Sequence, residues 1–322
     1  MDPKIIQFAI VLVFVPAAVI GYILLIERVL GFFSGKLQPR LRPWLWLAPA
    51  FLFLTIFLIY PMVQTIIRSL SDKLGTSFVG LLNYQYIFTN GDSLASLRNS
   101  LIWLVLLTIL AVGSGLLVAI LFDRVRYESL AKALVFMPLA ISFVGAGVIW
   151  KFMFDFKPAG ATQIGTLNAS LTSFGFDPVA WLQNAPLNTL MLIIVATWIW
   201  TGFCMVILSG ALKGISTELL EAARVDGATE LQVFRTITFP LLLPTIAVVS
   251  TTMIITALKA FDIVYVMTGG NFDTNIVALR MYQQLSTNDT GRASALAVVL
   301  LACTLPVMFY NVRRFREQEA QR

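Results

Sequence analysis

Long apolar runs alternate with short polar connections along the whole chain. Seven runs stand out: Ile5–Ile26, Trp44–Ile67, Leu101–Phe122, Ala133–Phe154, Leu187–Leu212, Leu241–Met267 and Ala293–Val312. Each is near the ~20 residues an α-helix needs to cross a hydrocarbon core of about 30 Å. Charge within them is almost confined to the ends. A strand-built barrel would show alternating segments of about ten residues instead. The pattern therefore predicts an all-α membrane protein with about seven transmembrane helices. The connections Leu70–Asn99 and Phe154–Pro186 are polar and rich in turn residues, and neither is long enough to fold as a domain of its own.

Composition agrees. Of 322 residues, 58% are hydrophobic and only 12% charged, with a mean hydropathy of +0.84. Soluble domains carry about 25% charged residues, so half that charge cannot clothe a globule in water. The net charge of +6 does not point to nucleic acid, because the basic residues cluster beside the apolar runs. Histidine is absent, which excludes His-based metal sites, His general bases and Ser-His-Asp triads. Cys204 and Cys303 fall inside apolar runs and read as small buried hydrophobes rather than a disulfide. The stretch Gly31–Leu37 approaches a phosphate-binding loop but is one residue short, and Leu37 replaces the Mg²⁺-binding hydroxyl. ATP hydrolysis by a Walker-type site in this chain is excluded on that ground. The sequons at Asn168 and Asn288 read as chance matches.

Lys and Arg in the connections set the orientation. One side holds Arg28, Lys36, Arg40, Arg42, Arg124, Arg126, Lys132, Lys213, Arg224, Arg235, Arg313, Arg314, Arg316 and Arg322. The other holds the smaller set Lys4, Arg68, Lys73, Arg98, Lys151, Lys157, Arg280 and Arg292. The bias places the N-terminus outside and the C-terminus in the cytoplasm. The first run is long for a signal peptide and is followed by more basic residues than precede it, so it reads as a retained span.

The cytoplasmic segment from Ser216 to Pro244 carries the most information. Ser216 or Thr217 can cap a helix whose first turns hold Glu218 and Glu221. Gly227 permits a sharp change of direction. A second helix is predicted from Thr229 to Thr238, stopped by Pro240 and Pro244. Read from the residues alone, this is a two-helix elbow on the inner membrane face, or an amphipathic pair resting on lipid headgroups.

Glu221-Ala222-Ala223, three residues, Gly227, nine residues, then Ile237-Thr238-Phe239-Pro240 resembles the EAA loop of binding-protein-dependent ABC importer permeases. The family's usual ending is Ile-x-Leu-Pro, from which Phe239 departs conservatively. Phe261–Gly270 looks like the end of the penultimate span in sugar-importing permeases, and Phe78–Tyr84 like their first outer loop. Within this maltose-permease-like branch the similarity is greatest to the α-glucoside permeases, partly through Arg126–Lys132 and Ile141–Gly145. The resemblance implies a permease subunit without catalytic residues, metal or cofactor. It also implies a second permease, two ATPase subunits and an extracytoplasmic solute-binding protein as partners, in the bacterial inner membrane. Residues 1–43 would be an added helix and cytoplasmic linker. Residues 44–322 would be the importer transmembrane domain, with its coupling loop at 213–240. ATPase coupling would fall on Glu221, Ala222, Ala223, Asp226, Gly227, Ile237 and Pro240.

A sugar needs aromatic faces and hydroxyl partners. Candidate solute contacts are Trp200, Thr201 and Phe203 in the fifth span, Thr256 in the sixth and Ser142 in the fourth. The resemblance maps the sugar-lining positions of maltose permeases onto Ala196, Ile199, Trp200, Phe203, Met253, Ala257 and Ala260, most of which are small or apolar. Lys259 and Asp262, three apart, are expected to neutralise each other on one helix face. An ATP-independent secondary transporter or channel is the competing reading; it should show broken helices or paired charges inside the membrane.

Overall fold

The computed structural model describes residues 3–33, 35, 37–123 and 125–319. Lys36, Arg124 and Arg322, used above for orientation, lie outside the described residues, as do the side chains of Lys4, Arg314 and Arg316. The described residues are almost wholly helical, and six helical runs are long and apolar enough to cross a membrane. Counted as one span, a sharply bent helix pair would make a seventh. The chain forms two compact units, Met1–Thr65 and Ile66–Arg322.

In the first unit α1 (Pro3–Leu30) and α2 (Gln38–Leu54) form a hairpin. Arg42 pairs with Glu27 at 2.6 Å, and the Tyr22 hydroxyl donates to the Leu45 carbonyl. α2 runs through a π-turn, Thr55–Ile59, into α3 (Tyr60–Ser69). The cause lies two residues beyond the π-turn. Pro61 has no N–H to give, and in an unbroken α-ladder its ring would strike the carbonyl four residues back. The wider register passes the Tyr60 N–H to the Thr55 carbonyl instead.

The second unit is built on α5 (Gly91–Phe122), α9 (Leu187–Lys213) and α12 (Phe239–Leu258). α9 is central: half of its apolar window is buried, with Leu192, Ile193, Ile199, Met205 and Leu208 inaccessible. Its approach to α5 needs a missing side chain. A Cβ on Gly115 would lie 2.5 Å from the Cys204 Cβ and 2.9 Å from the Met205 nitrogen. Small residues at such crossings let van der Waals packing hold helices that lipid does not drive together. Cys204 is fully buried as expected, but Cys303 is exposed: it lies on α15 (Thr290–Glu319), on a face the chain itself does not cover. The sequon Asn168 is buried, with its amide bound to the carbonyls of Asp155 and Val179, so it offers no free nitrogen for a glycan.

The fourth span is not the single helix expected over 133–154. α6 (Glu128–Phe136) ends in a short 3₁₀ turn, Met137–Ala140, and α7 (Phe143–Met153) leaves it at 99°. Pro138 removes a donor at the end of α6, and Ser142 caps α7 by accepting from the Gly145 N–H at 3.0 Å. The sixth span also departs from 241–267. α12 stops at Leu258, and Lys259–Phe261 form a non-helical link to α13 (Asp262–Met267). Beyond it, loop 268–276 turns tightly, with φ of 56° at Phe272 and 60° at Asp273. Buried amides pin this costly conformation. Asn99 donates to the Asp273 and Asn275 carbonyls at 2.6 and 2.9 Å, and Asn188 to the Phe272 carbonyl at 2.7 Å.

Candidate functional sites: an exposed elbow and an aromatic cavity

The elbow forms where the sequence places it. α10 (Thr217–Val225) follows Ser216, whose side chain makes no capping bond. Gly227, with φ of +85°, closes α10: the Ala228 N–H returns to the Ala223 carbonyl at 3.0 Å, six residues to one, in a Schellman turn. Thr229 and Gln232 then form a reciprocal capping box that starts α11 (Glu230–Val233). Arg224 spans the bend to Glu230 at 2.8 Å, and this pairing pushes the guanidinium above its ordinary range. Glu221, Ala222, Asp226 and Gly227 are exposed, while Ala223 and Ile237 are half-buried. Val225 is 87% and Leu231 65% exposed. Uncovered apolar side chains beside exposed carboxylates suit a protein partner better than water.

One expectation fails here. The second helix does not stop at Pro240. α11 continues through a π-turn, Phe234–Thr238, straight into α12. The Phe239 N–H reaches the Phe234 carbonyl, so the ladder passes Pro240 as it passes Pro61. α11, the second arm of the elbow, is therefore continuous with the sixth span, and the turn at residues 226–229 joins it to α10.

A cavity of about 180 Å³ lies where the two broken spans meet α5 and α9. Its wall includes Trp103, Phe143, Trp200, Lys259, Phe261 and Asp262. Phe143 stacks on Trp200 at 6.0 Å between centroids, and Phe203 meets the Trp200 ring edge-on at 5.6 Å. Among the expected contacts, Trp200 and Thr256 reach the wall. Thr201 does not: it lies 2.8 Å from the Ser114 hydroxyl and donates to the Thr197 carbonyl. Ser142 spends its oxygen on the α7 cap. Thr256 donates to the Thr252 carbonyl, so its hydroxyl is already engaged. Of the positions mapped from maltose permeases, Ala196, Trp200 and Ala260 line the cavity, whereas Ile199, Met253 and Ala257 are core.

Lys259 and Asp262 do not pair as expected, because α12 ends before them and they no longer share a helix face. Both line the cavity. Trp103, Phe143 and Phe261 were not singled out from the sequence. α5 is apolar on all sides, so nothing in its pattern marks Trp103 as facing a cavity.

Comparison with known proteins accords with this architecture. Residues 111–313 match the family model of the binding-protein-dependent transport system inner membrane component. The osmoprotective compounds uptake permease protein of Synechocystis is 50% identical over 279 residues, covering 86% of this chain and all of that protein. The alpha-glucoside transport system permease protein of Rhizobium meliloti is 46% identical, covering 86% of this chain and 83% of that one. A chain from the crystal structure of a bacterial ABC transporter that imports the acidic polysaccharide alginate superposes with a TM-score of 0.75 at 22% identity. That match covers 87% of this chain and 97% of that one and places the two in the same fold. With the family model matching most of the chain and an uptake permease identical at half of the 279 aligned residues, this protein belongs to the inner-membrane components of binding-protein-dependent transport systems.

Proposed function

We propose that this chain is a permease subunit of an ATP-driven importer for a sugar or sugar-like solute of the α-glucoside, trehalose or glucosylglycerol type. The exposed elbow carries the reading: Glu221 and its apolar neighbours form an uncovered surface on α10, which one tight turn joins to the helix that continues into the sixth span. An ATPase subunit docked there would move α12, and with it the wall of the aromatic cavity. The chain supplies no hydrolytic site, so ATP is consumed on a separate subunit. The assembly would hold a second permease, two ATPase subunits and an extracytoplasmic solute-binding protein. The N-terminus would lie outside and the C-terminus in the cytoplasm. The solute class draws on the names of the two curated relatives and on the aromatic cavity wall.

The broken fourth and sixth spans, and the charges in the cavity, are features expected of an ATP-independent transporter. Family membership and the elbow decide against that reading. Its test is direct. The chain is co-expressed with its partner permease, ATPase and binding protein, and uptake of labelled α-glucosides into vesicles is measured with and without internal ATP. Uptake should need ATP and fall to background for Gly227→Pro, because proline fixes φ near −65° where the turn requires +85°. Glu221→Ala should reduce it severalfold. ATP-independent uptake by this chain alone would refute the importer reading.

A further inference from the structure

The first arm of the fourth span, α6, buries no residue of its own, yet it is tied to the end of α9 along its length. Nearest the bend the contact is steric. A Cβ on Gly202 would lie 2.5 Å from the Val135 carbonyl oxygen and 2.6 Å from the Phe136 Cα, so α6 rests directly on the α9 backbone there. One turn on, the Lys132 amine donates to the buried Ser209 hydroxyl and to the Glu128 carboxylate. At the far end Lys213 pairs with the same Glu128 oxygen at 2.6 Å. The order 136, 132, 128 against 202, 209, 213 makes the two helices antiparallel. Glu128 therefore stands in the first turn of α6 and Lys213 in the last turn of α9, where each charge suits its helix dipole. Glu128 and Lys132 are only 25% and 17% exposed. Ions drawn that far from water lose hydration, so such a cluster adds little net stability over apolar packing. What it supplies is a fixed register, because charge-assisted bonds are short and directional.

The cluster sits beside the elbow. Lys213 is the last residue of α9, and α10 begins at Thr217. At its other end α6 runs through the turn Met137–Ala140 into α7, whose Phe143 stacks on Trp200. We propose that Glu128 is a positioning residue for transport: with Lys132, Ser209 and Lys213 it clasps α6 to the end of α9, so that a displacement of the elbow carries the fourth span along with α9. This inference rests on the importer reading above and adds a second line of transmission to the one through α11 and α12. The Gly202 contact alone is a pivot about which α6 can swing. Ser209 and Lys213 lie seven and eleven residues further along α9, about 10 and 16 Å at 1.5 Å per residue, and bonds at that distance from the pivot remove the freedom. With the clasp broken, the elbow moves while the fourth span lags. ATP is then spent with less solute carried.

The test uses the complete complex, with second permease, ATPases and binding protein, reconstituted in vesicles. Uptake of labelled α-glucoside and ATP hydrolysis are measured on the same sample. Glu128→Gln keeps the size of the side chain and loses its charge. It should raise the ATP hydrolysed per solute moved about fivefold or more, the lower end of ordinary coupling strengths. A cluster that only stabilises the fold would instead lower the amount of assembled complex, and uptake and hydrolysis together, with that ratio unchanged; this result overturns the proposal. Glu128→Lys brings three amines together and should uncouple further, and adding Lys213→Glu returns one carboxylate between two amines and should recover the ratio. No recovery overturns the proposal too. A cross-link reads the geometry directly. Cys204 is buried, and the exposed Cys303 is first changed to serine. Glu128→Cys with Lys213→Cys should be uncoupled as made and regain the wild-type ratio once joined by a short bis-maleimide. Arrest of transport by that link would show that α6 and α9 part during the cycle, against the proposal. Any of these failures alongside ATP-dependent uptake by the wild type removes only the clasp, whereas a wild type without ATP-dependent uptake removes the importer reading as well.

Discussion

At the end of α3 the Asp72 carboxylate accepts from the Thr76 and Ser77 N–H groups at 2.7 and 3.2 Å and from the Thr76 hydroxyl at 2.9 Å. Those donors favour the ionised form and hold the carboxyl below its ordinary value of 3.8. A lowered native pKa contributes stability that is present above the unfolded value and is lost as pH falls through the native one. The Thr76 and Ser77 amides should therefore stay protected from hydrogen exchange down to about pH 3.8 and lose protection only in stronger acid. Asp72→Ala should remove the same protection at neutral pH; unchanged exchange at Thr76 in that variant would show the loop is held by something else. At this scale the sequence speaks through residue type. Trp200 could be picked out as a stacking surface because its chemistry suits a sugar face. Thr201 and Ser142 could be picked by the same argument, and the fold sends their oxygens elsewhere, to a neighbouring hydroxyl and a helix cap. Hydroxyl chemistry is identical in the two roles, so type alone does not separate them.

Elements were legible where apolar length or turn chemistry is decisive. Each of the six long helical runs overlaps a predicted apolar run, though the sixth starts and ends earlier than expected, and the elbow's Gly227 bend follows from a residue that tolerates positive φ. The breaks were not legible. Lys259–Phe261 contains neither glycine nor proline, and apolar residues continue beyond it, so tertiary packing rather than a local breaker ends α12. Conversely, Pro240 looked like a stop and is not, because one added residue in the Phe234–Thr238 turn carries the ladder past it. That account predicts a rescue. Deleting Thr236 restores α register and drives the Pro240 ring into the preceding turn, at a cost of about 3 kcal/mol. The deletion should lower the thermal midpoint of the purified chain and abolish ATP-coupled uptake. Adding Pro240→Ala should recover both, since alanine fits the α register that the deletion imposes. Recovery of stability without uptake would mean that the π-turn itself, beyond a continuous helix, is needed for transport.

For the whole molecule, α9 is the reference axis. It runs for 27 residues, about 40 Å at 1.5 Å per residue, which is long enough to cross the hydrocarbon core with a turn or two to spare. The α8 helix (Thr166–Ser173) and the turn after it precede α9, and the elbow follows it, so a spanning α9 puts them on opposite sides. The proposed cytoplasmic position of the elbow draws on the distribution of basic residues along the sequence. Cysteine labelling reads the sidedness directly. Cys204 is inaccessible in the core, and the exposed Cys303 is first changed to serine. Phe174→Cys, at a position 79% exposed beside α8, should then react with a membrane-impermeant maleimide in intact spheroplasts. Val225→Cys, at the 87% exposed tip of the elbow, should react only after permeabilisation. The opposite result would place the elbow outside, away from any ATPase, and would undo the proposed coupling role of Glu221 and Gly227 together with the proposed direction of transport. Labelling of both positions in intact spheroplasts would contradict α9 as a membrane crossing, and with it the topology in which α8 and the elbow lie on opposite sides.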